Sequence, residues 1–219
     1  MLPLLACAFS LTACLQAGIN YQAYDAPGII ITGVRSDSTV TDAVILTASF
    51  VDEGITRAAL YQGSLASSPA GASVWTAMTP DFAGQTVSSS TFYGPNTSLY
   101  SASIPSGQVR AVGSYKYDEG ASGPTMNHGM MYVGPATGGG TWTQLDATSL
   151  VLEGTLLNTL AHSNMGNLVV GNYDTSLVAG KAFIYDIEDE SWTNLNPSGS
   201  ASVTAYGIWQ NSETSYTIA

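Results

Sequence analysis

The side chains able to do acid–base or metal chemistry are few and scattered in this 219-residue chain. Its two histidines, His128 and His162, lack the close spacing that brings two imidazoles to one metal ion. His128 is expected in a surface loop and His162 near a strand end. Carboxylates cluster at Asp186, Glu188, Asp189 and Glu190, residue types that suit either oxygen ligation of calcium or a solvated turn. The turn is the preferred reading, because the cluster falls between two short apolar runs. Glycoside hydrolysis needs two carboxyl groups converging about 5–10 Å apart, and no spacing marks such a pair. No G-x-S-x-G segment offers a serine nucleophile. No catalytic residue, metal or cofactor is therefore expected. Binding chemistry is better represented, at Tyr115, Tyr117, Asp118 and Glu119, where two rings and two carboxylates lie beside a Gly-rich loop.

The elements that position these residues are strands. The chain has 23 Gly, 12 Tyr and only 10% charged residues, a composition that suits a turn-rich β protein. Helical apolar periodicity is scarce, whereas short β-branched and aromatic runs recur between Gly, Asn, Ser and Pro clusters. An all-β fold follows. With 5 Lys+Arg against 16 Asp+Glu the net charge is −11, so a phosphate backbone or an anionic lipid surface would repel the chain. Nucleic acid is not an expected partner.

The first residues, MLPLLACAFSLTACLQAG, hold an uncharged apolar run from Leu2 to Ala13, of signal-peptide core length and too short to span a bilayer. The segment Leu11-Thr12-Ala13-Cys14 that closes it resembles the lipobox of bacterial lipoproteins. The resemblance implies a signal peptide over 1–13, diacylglycerol on the Cys14 thiol, and membrane attachment by the lipid alone. Cys7 would leave with the signal, and the mature chain would hold no cysteine pair. Residues 14–27 read as a tether. Leu15 after the cysteine implies outer-membrane sorting, so the expected address is the cell envelope, as an outer-membrane lipoprotein or a secreted protein. Such signals begin with Lys or Arg, yet the first basic residue is Arg35. A true start upstream of Met1 is expected.

Three related segments punctuate the rest: SVWTAM at 73–78, GTWTQL at 140–145 and ESWTNL at 190–195. Each follows a short apolar run with a tyrosine, Ala58–Gln62, Gly129–Val133 or Ala182–Asp186. Before those come Ala43–Phe50, Val109–Tyr115 and Asn167–Tyr173, and before those again Gly28–Arg35, Thr86–Tyr93 and Leu156–Ser163. Four strands per unit, a to d in chain order, give units at 28–78, 86–145 and 156–195, with a partial fourth at 203–219. Such repeats are the signature of propeller blades.

The order of VVGNYD, FIYD and SWTNL within Asn167–Leu195 resembles kelch-type β-propellers. The chain departs from that family in its Gly-Gly doublet, which reads Gly113-Ser114, Gly171-Asn172 and Ala48-Ser49. The resemblance implies a kelch-like extracellular propeller of about three complete blades and part of a fourth. Ordinary propellers close with four to eight, so an incomplete, truncated propeller is expected. The Tyr and Trp of each unit are read as wedge-filling core residues, each burying roughly 150–250 Å². The histidine and cysteine ring of the copper oxidases that share such repeats is lacking, as is the S-x-D-x-G-x-x-W turn of sialidases.

Strand alternation places the b–c and d–a connections on one face. These are the polar, Gly-bearing loops Lys116–Asn127, Asp174–Gly180, Thr79–Gln85 and Asp146–Gly154, and this face is expected to carry recognition. Two function classes follow: an envelope-anchored, non-catalytic module that binds a glycan or protein ligand, or a secreted carbohydrate-active enzyme with carboxylates dispersed among its loops. The anchor makes its own prediction. Expressed in a bacterial host, the protein should take up a palmitate analogue and sediment with membranes, and Cys14→Ala should abolish both.

Overall fold

The computed structural model describes residues 28–38, 40–64, 74–97, 99–100, 104–118 and 126–219. Cys14, the signal and the tether lie outside the described residues. The protein is all-β. Its strands are β1 (Ile29–Ser36), β2 (Ala43–Asp52), β3 (Ile55–Ser64), β4 (Thr76–Met78), β5 (Val87–Pro95), β6 (Val109–Tyr117), β7 (His128–Gly134) and β8 (Thr141–Leu145). They continue as β9 (Leu156–Met165), β10 (Leu168–Thr175), β11 (Lys181–Asp186), β12 (Ser191–Leu195), β13 (Ile208–Gln210) and β14 (Tyr216–Ile218). Three four-stranded antiparallel sheets take the strands in chain order, and β13 and β14 form a two-stranded fourth. The sheets are arranged like propeller blades, with β5 packed against β1, β2 and β3 of the sheet before it.

Period-two alternation supplies each sheet with two apolar faces, one for each neighbour. Between the first and second sheets, Ile45, Ala58, Leu60 and Met78 meet Phe92, Val109, Ala111, Met130 and Tyr132. Between the second and third, Val112, Met131 and Leu145 meet Leu156, Val169, Phe183 and Tyr185. The recurring Trp-Thr segment is explained by register. Trp142 lies directly opposite Tyr132 and Trp192 opposite Tyr185, with ring centroids 4.8 and 4.7 Å apart. Trp75, just before β4, lies 5.8 Å from Tyr61. These pairs widen the outer part of each sheet.

The inner strands do the opposite. Each of β1, β5 and β9 carries a β-bulge, at Thr32, Tyr93 and His162, followed by Gly33, Gly94 and Ser163. A Cβ on Gly33 would sit 2.7 Å from the Tyr93 carbonyl oxygen, and one on Gly94 would sit 2.8 Å from that of His162. Neighbouring inner strands therefore touch backbone to backbone, a contact that only glycine permits. Thr32 Oγ1 donates to the Phe92 carbonyl at 2.6 Å, and Asn164 Nδ2 to that of Gly94 at 2.9 Å.

The same bulge explains the glycines of strand b. Gly113 faces Phe92 and the Thr91 carbonyl, and Gly171 faces Ala161 and the Leu160 carbonyl. Both lie in mid-strand, because β6 and β10 run on to Tyr117 and Thr175. The shared Asp-Glu-Gly is a two-residue hairpin in the first sheet, with Glu53 and Gly54 at φ of 49° and 79°. The strand expected over Val203–Gln210 is shorter, only Ile208–Gln210, preceded by Gly207, which exchanges backbone hydrogen bonds with Ala219 at 3.1 and 3.0 Å.

Gly171→Ala should cost about 1–3 kcal/mol, because the added methyl meets backbone that has no room to yield. Gly207→Ala, where an added Cβ meets nothing within 4 Å, should shift stability by less than about 0.5 kcal/mol. Urea titrations of the two variants measure the difference, and equal midpoints would contradict the bulge account.

Candidate functional site

The residues expected to bind separate by depth. Tyr115 shares its side of β6 with Val109 and Ala111 and is buried at 1% exposure. Its ring stacks on Phe82 at 4.7 Å and its hydroxyl donates to Gln85 Oε1 at 2.8 Å. It is a core residue, not the surface contact that the sequence suggested, because alternation turns it into the first interface. Tyr117 is half-buried, Asp118 is exposed, and Glu119 lies outside the described residues.

His128 is also corrected. It opens β7 and is 5% exposed, with Nδ1 2.8 Å from Asp146 Oδ2, the same oxygen that accepts from Gln144 Nε2 at 2.7 Å. The rings of Tyr117 and Tyr115 lie 4.9 and 5.4 Å from the imidazole. The buried imidazole and the Asp146 carboxylate clamp the start of the d–a loop to the second sheet. His162 lies within β9 rather than at its end, at the bulge. Burial pushes its pKa down, opposed in part by the hydrogen bond to Asn172. In the acidic turn, Asp186 Oδ1 accepts from the backbone N–H of Glu188 and Asp189 at 2.9 and 3.2 Å, which builds a c–d turn. Among the described residues, no three His, Cys, Asp or Glu side chains form a group that could hold a metal ion.

The loops of the expected face do form a cleft, one sheet further on. It has a volume of about 330 Å³ and lies between the d–a segment at 150–153 and the b–c segment at 175–178. Tyr173, the counterpart of Tyr115 in the third sheet, forms part of its wall, and Lys181 and Asn194 add a cation and an amide. The Tyr173 hydroxyl donates to Asn194 Oδ1 at 2.7 Å. That bond leaves the Asn194 amide nitrogen toward the exposed rim. Leu152 and Leu177, 91% and 64% exposed, stand at the lips. The loop bearing Leu177 is braced from beneath: Thr175 Oγ1 accepts from the backbone N–H of Val178 at 3.1 Å, and Asp174 Oδ1 from that of Gly180 at 2.7 Å. A polar wall with apolar lips can bind a ligand that presents hydroxyl or carbonyl groups beside an apolar surface.

The sequence contained the loops Asp146–Gly154 and Asp174–Gly180 as candidates but not Tyr173, Lys181 or Asn194. The repeated VGSY and VGNY at 112–115 and 170–173 was the available signal for Tyr173. No protein-family model matches this chain, and no curated protein matches its sequence. The arrangement therefore stands on its own geometry.

Burial raises the pKa of Tyr173 above its ordinary value near 10, opposed in part by the bond to Asn194, and burial likewise raises Tyr132 and Tyr185. A phenol whose folded pKa is raised contributes stability that is complete below the unfolded value and is lost as pH climbs through the folded one. Thermal stability should hold from neutral pH to about pH 9–10 and then fall. Tyr173→Phe should make that fall shallower, measurable by melts across the alkaline range.

Proposed function

We propose that this chain is a non-catalytic binding module of the bacterial cell envelope, a lipid-anchored kelch-like propeller that takes a glycan or protein ligand on the face of its b–c and d–a loops. The cleft between residues 150–153 and 175–178 carries the reading. Its position on the loop face, its amide and ammonium groups, and its exposed Leu152 and Leu177 suit recognition of a partner from solution. The anchor rests on the lipobox-like Leu11 to Cys14. No helix among the described residues is long and apolar enough to cross a membrane, a fact that leaves the mode of attachment to the lipidation test.

The reading includes a ring with more sheets than the four described. Ile31 and Val34, opposite Ala48 and Leu46 of β2 on one face of the first sheet, are 42% and 53% exposed along the inner strand β1, an apolar strip of the kind that an adjoining sheet covers. Tyr117 and Asp118 lie on the same loop face as the cleft and form its second contact zone.

A glycan array and an adhesion assay with the lipid-free protein test this function. Binding should fall about tenfold for Lys181→Ala and for Leu177→Ser, a loss equivalent to about 1.4 kcal/mol each. Bound glycans should be recovered uncleaved. Hydrolysed products would favour the carbohydrate-active enzyme, and unchanged binding in both variants, with loss on changes in Gly94–Ser106, would move the site to the opposite face.

A further inference from the structure

A second cavity, of about 200 Å³, lies where the inner strands of all four sheets meet. Its lining centres on the bulges, with Thr32 and Gly33 of β1, Tyr93 of β5, and His162 and Ser163 of β9, and is completed by Arg35 of β1 and Tyr206 before β13. It is closed across the first and fourth sheets by Arg35, whose Nη2 reaches the Ile208 carbonyl at 3.4 Å and Ser163 Oγ at 3.5 Å. This site is separate from the loop-face cleft and does not rest on the reading of that cleft.

We propose that this inner cavity binds the carboxylate and ring of a single acidic sugar, a hexuronate. Arg35 is one of only five Lys and Arg residues in the chain, and among the described residues no carboxylate lies within ion-pair distance of it. Its two inter-sheet hydrogen bonds are long and go to neutral oxygens, and its Nε is buried with no hydrogen-bond partner among the described residues. A carboxylate entering beside the guanidinium replaces weak bonds with a charge-assisted pair. The guanidinium is held in place by the indole of Trp209, 5.7 Å from its centroid.

The rest of the cavity suits a sugar ring. Tyr93, His162 and Tyr206 form a continuous row, with centroids 5.2 and 4.9 Å apart. Tyr206 is 70% exposed at the mouth, a platform on which the apolar face of a pyranose can lie. His162 Nε2 lies 2.8 Å from Asn172 Oδ1, which assigns the ring proton to Nε2 and leaves Nδ1 as an acceptor for a sugar hydroxyl. The hydroxyl of Ser163, next to it, both donates and accepts. A cavity below the usual 300 Å³ lower bound for drug-sized ligands admits one ring and not a chain.

Titration of D-glucuronate and of D-glucose into the lipid-free protein, followed by NMR of the His162 ring and the Trp209 indole, tests the assignment. Glucuronate should shift both signals saturably, and glucose should bind about tenfold more weakly for want of the charge-assisted bond. Arg35→Gln should reduce glucuronate affinity about tenfold, whereas Lys181→Gln, in the other cleft, should leave it unchanged. If Arg35→Gln does not fold, Tyr206→Ala removes an exposed ring instead and should weaken glucuronate severalfold. Equal affinity for the two sugars, no saturable shift with either, or sensitivity to Lys181 rather than Arg35 or Tyr206 would overturn the proposal. Sensitivity to Lys181 would instead place the sugar in the loop-face cleft, and the other outcomes leave a ligand held there untouched.

Discussion

Everything in this molecule depends on how closely its inner strands approach one another. Gly33 and Gly94 place successive inner strands in backbone contact, while Tyr132 with Trp142 and Tyr185 with Trp192 hold the outer strands apart. A sheet thin inside and thick outside is a wedge, and wedges can only be stacked around an axis. The bulges at Thr32, Tyr93 and His162 belong to the same constraint. Each re-aims one side chain toward the axis and presses a strand-b residue, Gly113 or Gly171 in the second and third sheets, against the carbonyl before it.

That geometry also decides where polarity can go. The sheets bury apolar residues on both faces, so the few buried polar side chains are tied by hydrogen bonds, as Ser90 is by accepting from the Ala58 N–H of the first sheet at 2.9 Å. Arg110, inside the second sheet, donates to the Gly166 carbonyl, and burial pushes its pKa down to about 10. It remains a cation at neutral pH and ties the second sheet to the a–b turn of the third. The His128–Asp146 pair performs the matching task on the loop face. Both are inter-element ties that hold turns and loops to a neighbouring strand.

The two cavities follow from this division. The loop-face cleft is made by segments whose length and composition differ from sheet to sheet, and it forms where the d–a and b–c loops of the third sheet flank Tyr173. The axial cavity is made by the bulge residues Thr32, Tyr93 and His162 together with Arg35 of β1 and Tyr206 before β13. One is a site of loops and the other a site of the scaffold.

The sequence by itself determined the all-β class and nearly every strand, because alternation and the recurring tyrosine and tryptophan are local signals that burial on a sheet face requires. It also determined which loops share a face, since antiparallel order leaves no choice. Depth was not legible: Tyr115 and Tyr117 stand two apart with the same residue type, yet one is core and the other half-buried, because Tyr117 closes β6 and packs at the edge of the cluster that encloses Tyr115. His128 read as a loop residue for the same reason, its burial coming from Asp146 and two tyrosines distant in the chain. The meeting of Arg35, Tyr93, His162 and Tyr206 was decided only by the tertiary structure. A bulge shifts a side chain by one position without leaving a mark in composition or period, and residues from three strands and the segment before β13 converge only once the wedges are stacked.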